Sequence, residues 1–453
     1  MITARRAAAQ RATGRKDRRN GPRVIVPKAV LMVILLILAF MSLLPGDSPL
    51  ASGFTPSRAL EMGLTAAAAA VGMLARLQHQ NRKLPPMALI PILALVIFSL
   101  WALFTTLWAP LVLIGMGRAL QLMMIIFAVY CIASLTQPEP GRIAPEAFVN
   151  SAALGMMICV LILLATNVGL FGTPFPMESD PFDAPFATNL RPRFFLAGSH
   201  PLKTASFLSV TILFVLASSL RRDVMVVVLA GLAALLIMTD GRTAMAATGV
   251  GVLLRGYLLM RPSPIKVLLG LVVAVGTVGG VAIAIAFSDM STMLSTAIGE
   301  DVFTLNGRVA LWEYALDAWA DHPVAGVGYY NTRIVLLDAF PFAGHTHNSL
   351  LEIMLGTGLP GLFLSLVFLA SCIHALARTG DQLLGGVLVI TIMDGALNPV
   401  LFAPGIGQTV LLLSVPGACL THQPRRVNRA SAPARPASGP LPGGRRISLH
   451  GGA

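Results

Sequence analysis

The sequence predicts an all-α membrane protein of about twelve transmembrane helices, with a long outer loop that contains an amphipathic helix. Three observations carry this. Of 453 residues, 55% are hydrophobic and only 12% charged, with a mean hydropathy of +0.77, whereas soluble domains carry roughly 25% charged residues. Apolar runs of the length that crosses a bilayer, about 20 residues, recur along the chain, without the alternating segments of a β-barrel. Finally, Lys and Arg alternate between turns. With the N-terminus inside, all of the 33 fall in inner segments except Arg58, Arg118, Arg191, Arg193, Lys203, Arg242, Arg308 and Arg333. That is the positive-inside pattern at every inner turn, with both termini on the cytoplasmic side.

The predicted spans are 27–44, 58–76, 86–107, 113–135, 146–170, 201–219, 224–239, 243–260, 266–287, 347–374, 382–398 and 402–420. The chain therefore divides into a basic tail (1–26), nine spans (27–287), a large outer loop (288–346), three spans (347–420) and a second basic tail (421–453). Both tails are polar and Pro/Gly/Ala-rich and read as disordered. The first span follows a long basic stretch and reads as an uncleaved anchor. The second, with "TAAAAAVGM", is weakly hydrophobic, and its small residues suit close helix packing. Because the formal charge of +13 reports topology, it does not point to nucleic acid. Cys131, Cys159, Cys372 and Cys419 all sit in apolar runs and read as buried thiols, with neither a disulfide framework nor metal spacing.

Two outer loops are long, about 171–200 and 288–346, and long loops carry function. No internal repeat or inverted pair of broken helices is visible. In the second loop, Asn306 can cap a helix from about 307 to 320. Val309, Trp312, Leu316 and Trp319 recur on one face of it and Glu313 and Asp317 on another. The Trp residues suit interfacial anchoring. "GVG" lacks the strand-and-helix setting of a nucleotide loop.

Arg308 falls in the first turn of that helix, where a cation opposes the helix dipole unless an anion is bound there. Pairing with Glu300 or Asp301 is the alternative. Arg242 repeats the theme at the outer end of the eighth span, beside Asp240, with which it can also pair locally. Two arginines at helix starts on one side suit a diphosphate. His347 and Asn348 open the tenth span on the same side. A histidine in a first turn is held neutral by the dipole and can act as a base. The bland reading is capping, with Glu352 bonded to Asn348. His345 and His347 are two apart and form no convincing zinc set. Arg118 lies within the fourth span, and Asp394 and Asn398 share a face of the eleventh, to hold the bundle or line a cavity. The first outer loop adds Arg191, Arg193, His200 and Lys203, for substrate or membrane surface.

"GRVALWEYALDAWADHPVAGVGYYNT" followed by "HTHNSLLEIMLGTGLPGLF" resembles the signature of the O-antigen ligase and polymerase family: an arginine, a tryptophan four later, "HPxxGxG", then "HN" opening a span. "TDGRTA" resembles its second arginine motif. The likeness covers roughly residues 190–370. It implies a bacterial inner-membrane glycosyltransferase without metal or cofactor, working on the periplasmic face. Its donor is a saccharide on undecaprenyl diphosphate; its acceptor is another saccharide or lipid A-core. Arg242 and Arg308 match the arginines that engage the diphosphate, and His347 matches the histidine that activates the acceptor hydroxyl. Asn348, Trp312, Arg193, Arg118 and His345 are candidates for support. This sequence differs in carrying Asp240-Gly241 before Arg242 and His345 close to His347. Inversion at the sugar follows from one base and no carboxylate nucleophile. The alternative is a lipid-linked-saccharide flippase, whose charges belong at mid-membrane.

Overall fold

The structure, a computed structural model, describes residues 56–77, 86–135, 145–167, 201–239, 241–260, 308–340, 344–399 and 401–402, with short pieces at 33, 36–37, 177–178, 193–194 and 196. Both tails, most of the first predicted span, the ninth, nearly all of the twelfth, and residues 288–307 lie outside the described residues. So do Arg191, His200, Asp240, Glu300, Asp301, Asn306 and Cys419.

The described elements run α1 (Pro56–Leu77), α2 (Pro86–Thr105), α3 (Val112–Leu135), α4 (Pro145–Asn167), β1 (Met177–Glu178), β2 (Arg193–Phe194), α5 (Pro201–Ala217), α6 (Arg222–Met238), α7 (Arg242–Leu259), α8 (Arg308–Ala320), α9 (Thr332–Ala339), α10 (Ser349–Thr379) and α11 (Gln382–Gly395). Helices α1 to α7, α10 and α11 occupy the second to eighth, tenth and eleventh predicted spans. Four stretches among the described residues are long and apolar enough to cross a membrane: Leu89–Trp108, Val112–Cys131, Glu146–Ala165 and Ser349–Arg378. The only strands described are β1 and β2, a two-residue antiparallel pair in the first outer loop.

Local chemistry explains several boundaries. Helices α1, α2, α4 and α5 each open on a proline, whose fixed φ and missing N–H suit the first helical position. The Asp381 side chain caps α11 by accepting from the Leu384 N–H (2.9 Å). Helix α10 ends on Gly380 in the left-handed conformation.

Small residues set the helix crossings. A Cβ at Gly72 of α1 would stand 3.1 Å from Cys131 Cβ of α3, and one at Gly251 of α7 would stand 3.1 Å from the Gly386 carbonyl of α11. In lipid, where apolar contact alone gives little drive, such close approach is what holds helices together. The "TAAAAAVGM" segment thus packs on α3. Cys131, Cys159 and Cys372 are buried.

One buried ion pair ties α1 to α3. Arg118 Nη1 donates to Glu61 Oε2 at 2.5 Å and to Gln121 Oε1 at 2.8 Å, and the Arg118 and Glu61 side chains are 8% and 14% exposed. Removing one partner strands a charge in a low-dielectric interior. Arg118→Met is therefore expected to cost roughly 3–5 kcal/mol. The paired change Arg118→Met with Glu61→Gln should restore much of that. Thermal unfolding of the detergent-solubilised protein checks both; a double variant no more stable than the single one would count against the pair.

Candidate functional site

Helix α10 is broken. At Gly358 the backbone turns to φ +67°, ψ −168°, and Pro360 follows. The freed backbone groups are taken up by the segment 322–331, the "HPVAGVGYYN" stretch, which folds into the break. The Val327 N–H donates to the Leu355 carbonyl (2.9 Å) and the Leu359 N–H to the Pro323 carbonyl (2.9 Å). Two indoles finish the joint. Trp101 Nε1 donates to the Thr357 carbonyl (2.7 Å) and Trp108 Nε1 to the Gly326 carbonyl (3.0 Å). The far end of the segment is anchored by Asn331, whose Oδ1 accepts from the Leu111 N–H (2.8 Å), and by Tyr329. The Tyr329 N–H donates to Thr105 Oγ1 (3.1 Å) and its hydroxyl to the Phe402 carbonyl (2.6 Å). Burial pushes the Tyr329 phenol well above its usual range, so it remains a donor.

Helix α8 packs on the upper half of α10. Its innermost residues are Leu311 and Ala315, against Val327, Leu336, Leu351 and Leu355. The expected apolar face of Val309, Trp312, Leu316 and Trp319 is therefore turned by about one residue: Val309 and Leu316 are exposed. Trp312 stays half-buried because its Nε1–H donates to the Thr346 carbonyl (2.8 Å).

That bond reaches the histidines. Asn348, not His347, begins the cap of α10: its Oδ1 accepts from the N–H groups of Leu350 (3.0 Å) and Leu351 (3.1 Å). His347 precedes the cap rather than sitting in the first turn. It takes φ +54°, a left-handed conformation that costs a non-glycine residue about 1–2 kcal/mol. Its ring lies edge-on to that of His345, centroids 4.1 Å apart. Glu352 does not bond through its side chain to Asn348, as the spacing suggested. It accepts from the Thr346 N–H (2.8 Å) and from the Thr332 hydroxyl that opens α9.

The start of α10 is also tied to the end of α11. Asn348 Nδ2 donates to the Ala396 carbonyl (3.2 Å) and Ser349 Oγ to the Asn398 carbonyl (2.7 Å). Asn398 Nδ2 donates to Asp394 Oδ1 (2.7 Å), as their spacing predicts, and the Ser206 hydroxyl of α5 donates to the other Asp394 oxygen. Arg308, the first residue of α8 and half-buried, lies within electrostatic reach of Asp394. Arg242 is exposed as the first residue of α7. Gly241 before it is pressed against α5, where a Cβ would meet Ala205 Cβ at 2.7 Å, one residue from Ser206. The starts of α5, α7, α8 and α10 and the end of α11 thus meet at one end of the bundle, around Asp394.

Arg118 contacts the 322–331 segment. Besides its ion pair it lies 5.0 Å from the Tyr330 ring centroid, and Arg333 lies 6.0 Å from the same ring. Tyr330 also adopts a left-handed φ, +62°. Arg193 lies in β2, paired with Glu178, and Lys203 is exposed on α5. Sequence reasoning missed Glu61, although an acidic residue in a predicted span is itself a signal that an intramembrane arginine needs a partner. It named Glu352 but gave it Asn348 as partner, and missed Thr332, whose contact with Glu352 joins α9 to α10.

A family model matches part of this region. Residues 225–366 match the family described as O-antigen ligase. The matched segment holds Arg242, Arg308, Trp312, His345, His347, Asn348 and Glu352, and leaves out Arg118, Arg193 and Asp394. The chain is also similar to the exopolysaccharide production protein ExoQ of Rhizobium meliloti (strain 1021), 30% identical over 138 residues. That match takes in 28% of this chain and 31% of the relative, so the likeness spans about a third of the curated relative. With its helices long and apolar enough to cross a bilayer and this family match, the chain is a membrane protein.

Proposed function

We propose that this chain transfers a saccharide from undecaprenyl diphosphate to a sugar hydroxyl, on the periplasmic face of a bacterial inner membrane, with inversion and without a metal. The observation that supports it is the meeting of the Arg242, Arg308 and His347 segments around Asp394. Cleaving a glycosyl–phosphate bond puts charge on a leaving diphosphate. Arg308 and Arg242 stand at helix starts, where backbone N–H groups also favour anions, and would stabilise it. His347 would take the proton of the attacking hydroxyl. The bond from that oxygen to the anomeric carbon forms as the bond to phosphate breaks, in a single displacement. The family description supports lipid A-core as acceptor; the relative's part in exopolysaccharide production supports a second lipid-linked saccharide.

The test is transfer from a defined undecaprenyl-diphosphate oligosaccharide in liposomes, with chelator and both acceptors offered. A ladder of lengthening chains is expected from a polymerase and a single product on lipid A-core from a ligase. Lipid flipping with no transfer to either acceptor would overturn the proposal.

A further inference from the structure

We propose that Glu352 is the positioning residue for His347, an inference that rests on the reading of His347 as the base. The geometry is specific. Glu352 lies in the first turn of α10. One carboxylate oxygen accepts from the Thr346 N–H at 2.8 Å, the other from the Thr332 hydroxyl. Both threonines are almost wholly buried, Thr346 at 0% and Thr332 at 2% exposed. One side chain thus fastens the residue before His347 to α10 and, through Thr332, to the start of α9.

His347 needs such fastening because its backbone is strained, with φ +54°. A left-handed non-glycine residue persists only where its surroundings over-determine it. Here both neighbours are clamped. Thr346 is held at its N–H by Glu352, at its carbonyl by Trp312 (2.8 Å), and its hydroxyl donates to the Asn348 carbonyl (2.8 Å). Asn348 is held by the cap of α10 and by Ala396. Of these holds, the Glu352 contact alone links the histidine turn to α9. Losing it leaves a buried amide unsatisfied and lets the turn relax, which moves the imidazole. Arg242 and Arg308 start separate helices and stay where they are.

In the transfer assay, Glu352→Ala is expected to lower kcat about tenfold to a hundredfold, the scale of an ångström-level misplacement. The donor KM should stay within about twofold, since binding contacts survive. Glu352→Gln keeps an oxygen for the Thr346 N–H and an amide that can donate to the Thr332 hydroxyl, so it should recover most of the rate. A folded Glu352→Ala with wild-type kcat overturns the inference. So does a raised donor KM at unchanged kcat, or a folded Glu352→Gln as slow as Glu352→Ala, which would give the charge itself a part in the chemistry. If Glu352→Ala does not fold, Thr332→Val removes one anchor alone; a fewfold loss of kcat supports the role and an unchanged kcat removes it. His347→Ala runs beside them. If it keeps full rate, the reading of the base fails; if it is inactive while Glu352→Ala keeps wild-type kcat, only the positioning role fails.

Discussion

Gly358→Ala is expected to be the most destabilising single methyl addition in the described fold, at about 2–5 kcal/mol. Two independent costs add. The first is conformational: φ +67° with ψ −168° is a region that only glycine enters readily. The second is steric. A Cβ there would stand 2.0 Å from the Val324 carbonyl oxygen and 2.4 Å from its carbon. These are backbone atoms, so relief requires the 322–331 segment to withdraw from the break in α10. Withdrawal would strip partners from the Leu355, Pro323 and Gly326 carbonyls together. Thermal unfolding in detergent, followed by size-exclusion chromatography, checks it. Gly380→Ala is the control: it too has a positive φ, +62°, but no atom within 4 Å of its Cβ, so it should cost only about 1 kcal/mol. Equal stability for the two variants would mean that the segment does not lock the break.

Most of the helix positions were legible in the sequence because bilayer-length apolar runs and opening prolines are local signals. The break at Gly358 was not, although "GTGLPG" contains both Gly and Pro. Membrane helices tolerate these residues unbroken whenever neighbours satisfy the backbone. Whether Gly358 breaks the helix depends on Val327 and Pro323 arriving from elsewhere in the chain. The same reason explains the turned face of α8. Periodicity identifies Val309, Trp312, Leu316 and Trp319 as a stripe, but α8 has apolar residues nearly all round, and the partner decides which go inside. Arg308 and Arg242 were readable as helix-start cations, and the family likeness named His347. The partners that hold them were less so. Asp394 lies in the last turn of α11 and Asn398 just past its end, four residues on, close enough in the chain for their contact to be local. Glu352 with Thr332, and Glu61 with Arg118, join residues that no local pattern connects.

The largest loss of activity is expected from His347→Ala and Arg308→Ala, and the two should fail differently. Removing a general base costs about 10²–10⁴ in rate. His347→Ala should therefore lose kcat on that scale with the donor KM nearly unchanged, because nothing assigned to donor binding is touched. In the proposed reaction Arg308 would meet a diphosphate that is charged before the reaction and gains charge during it. Arg308→Ala should lose about 10²–10³ in kcat, the scale for one stabilising donor, and should raise the donor KM as well. Arg308→Lys should recover only part, since an ammonium lacks the planar fork that fits a phosphate. Asp394 lies close enough to lower the cost of a half-buried cation here, so Asp394→Asn should weaken Arg308 rather than mimic its loss. Single-turnover transfer separates the two steps. A donor KM unaffected by Arg308→Ala would move the diphosphate away from the start of α8. Wild-type transfer by the double variant His347→Ala, Arg308→Ala would leave this end of the bundle without the chemistry proposed for it.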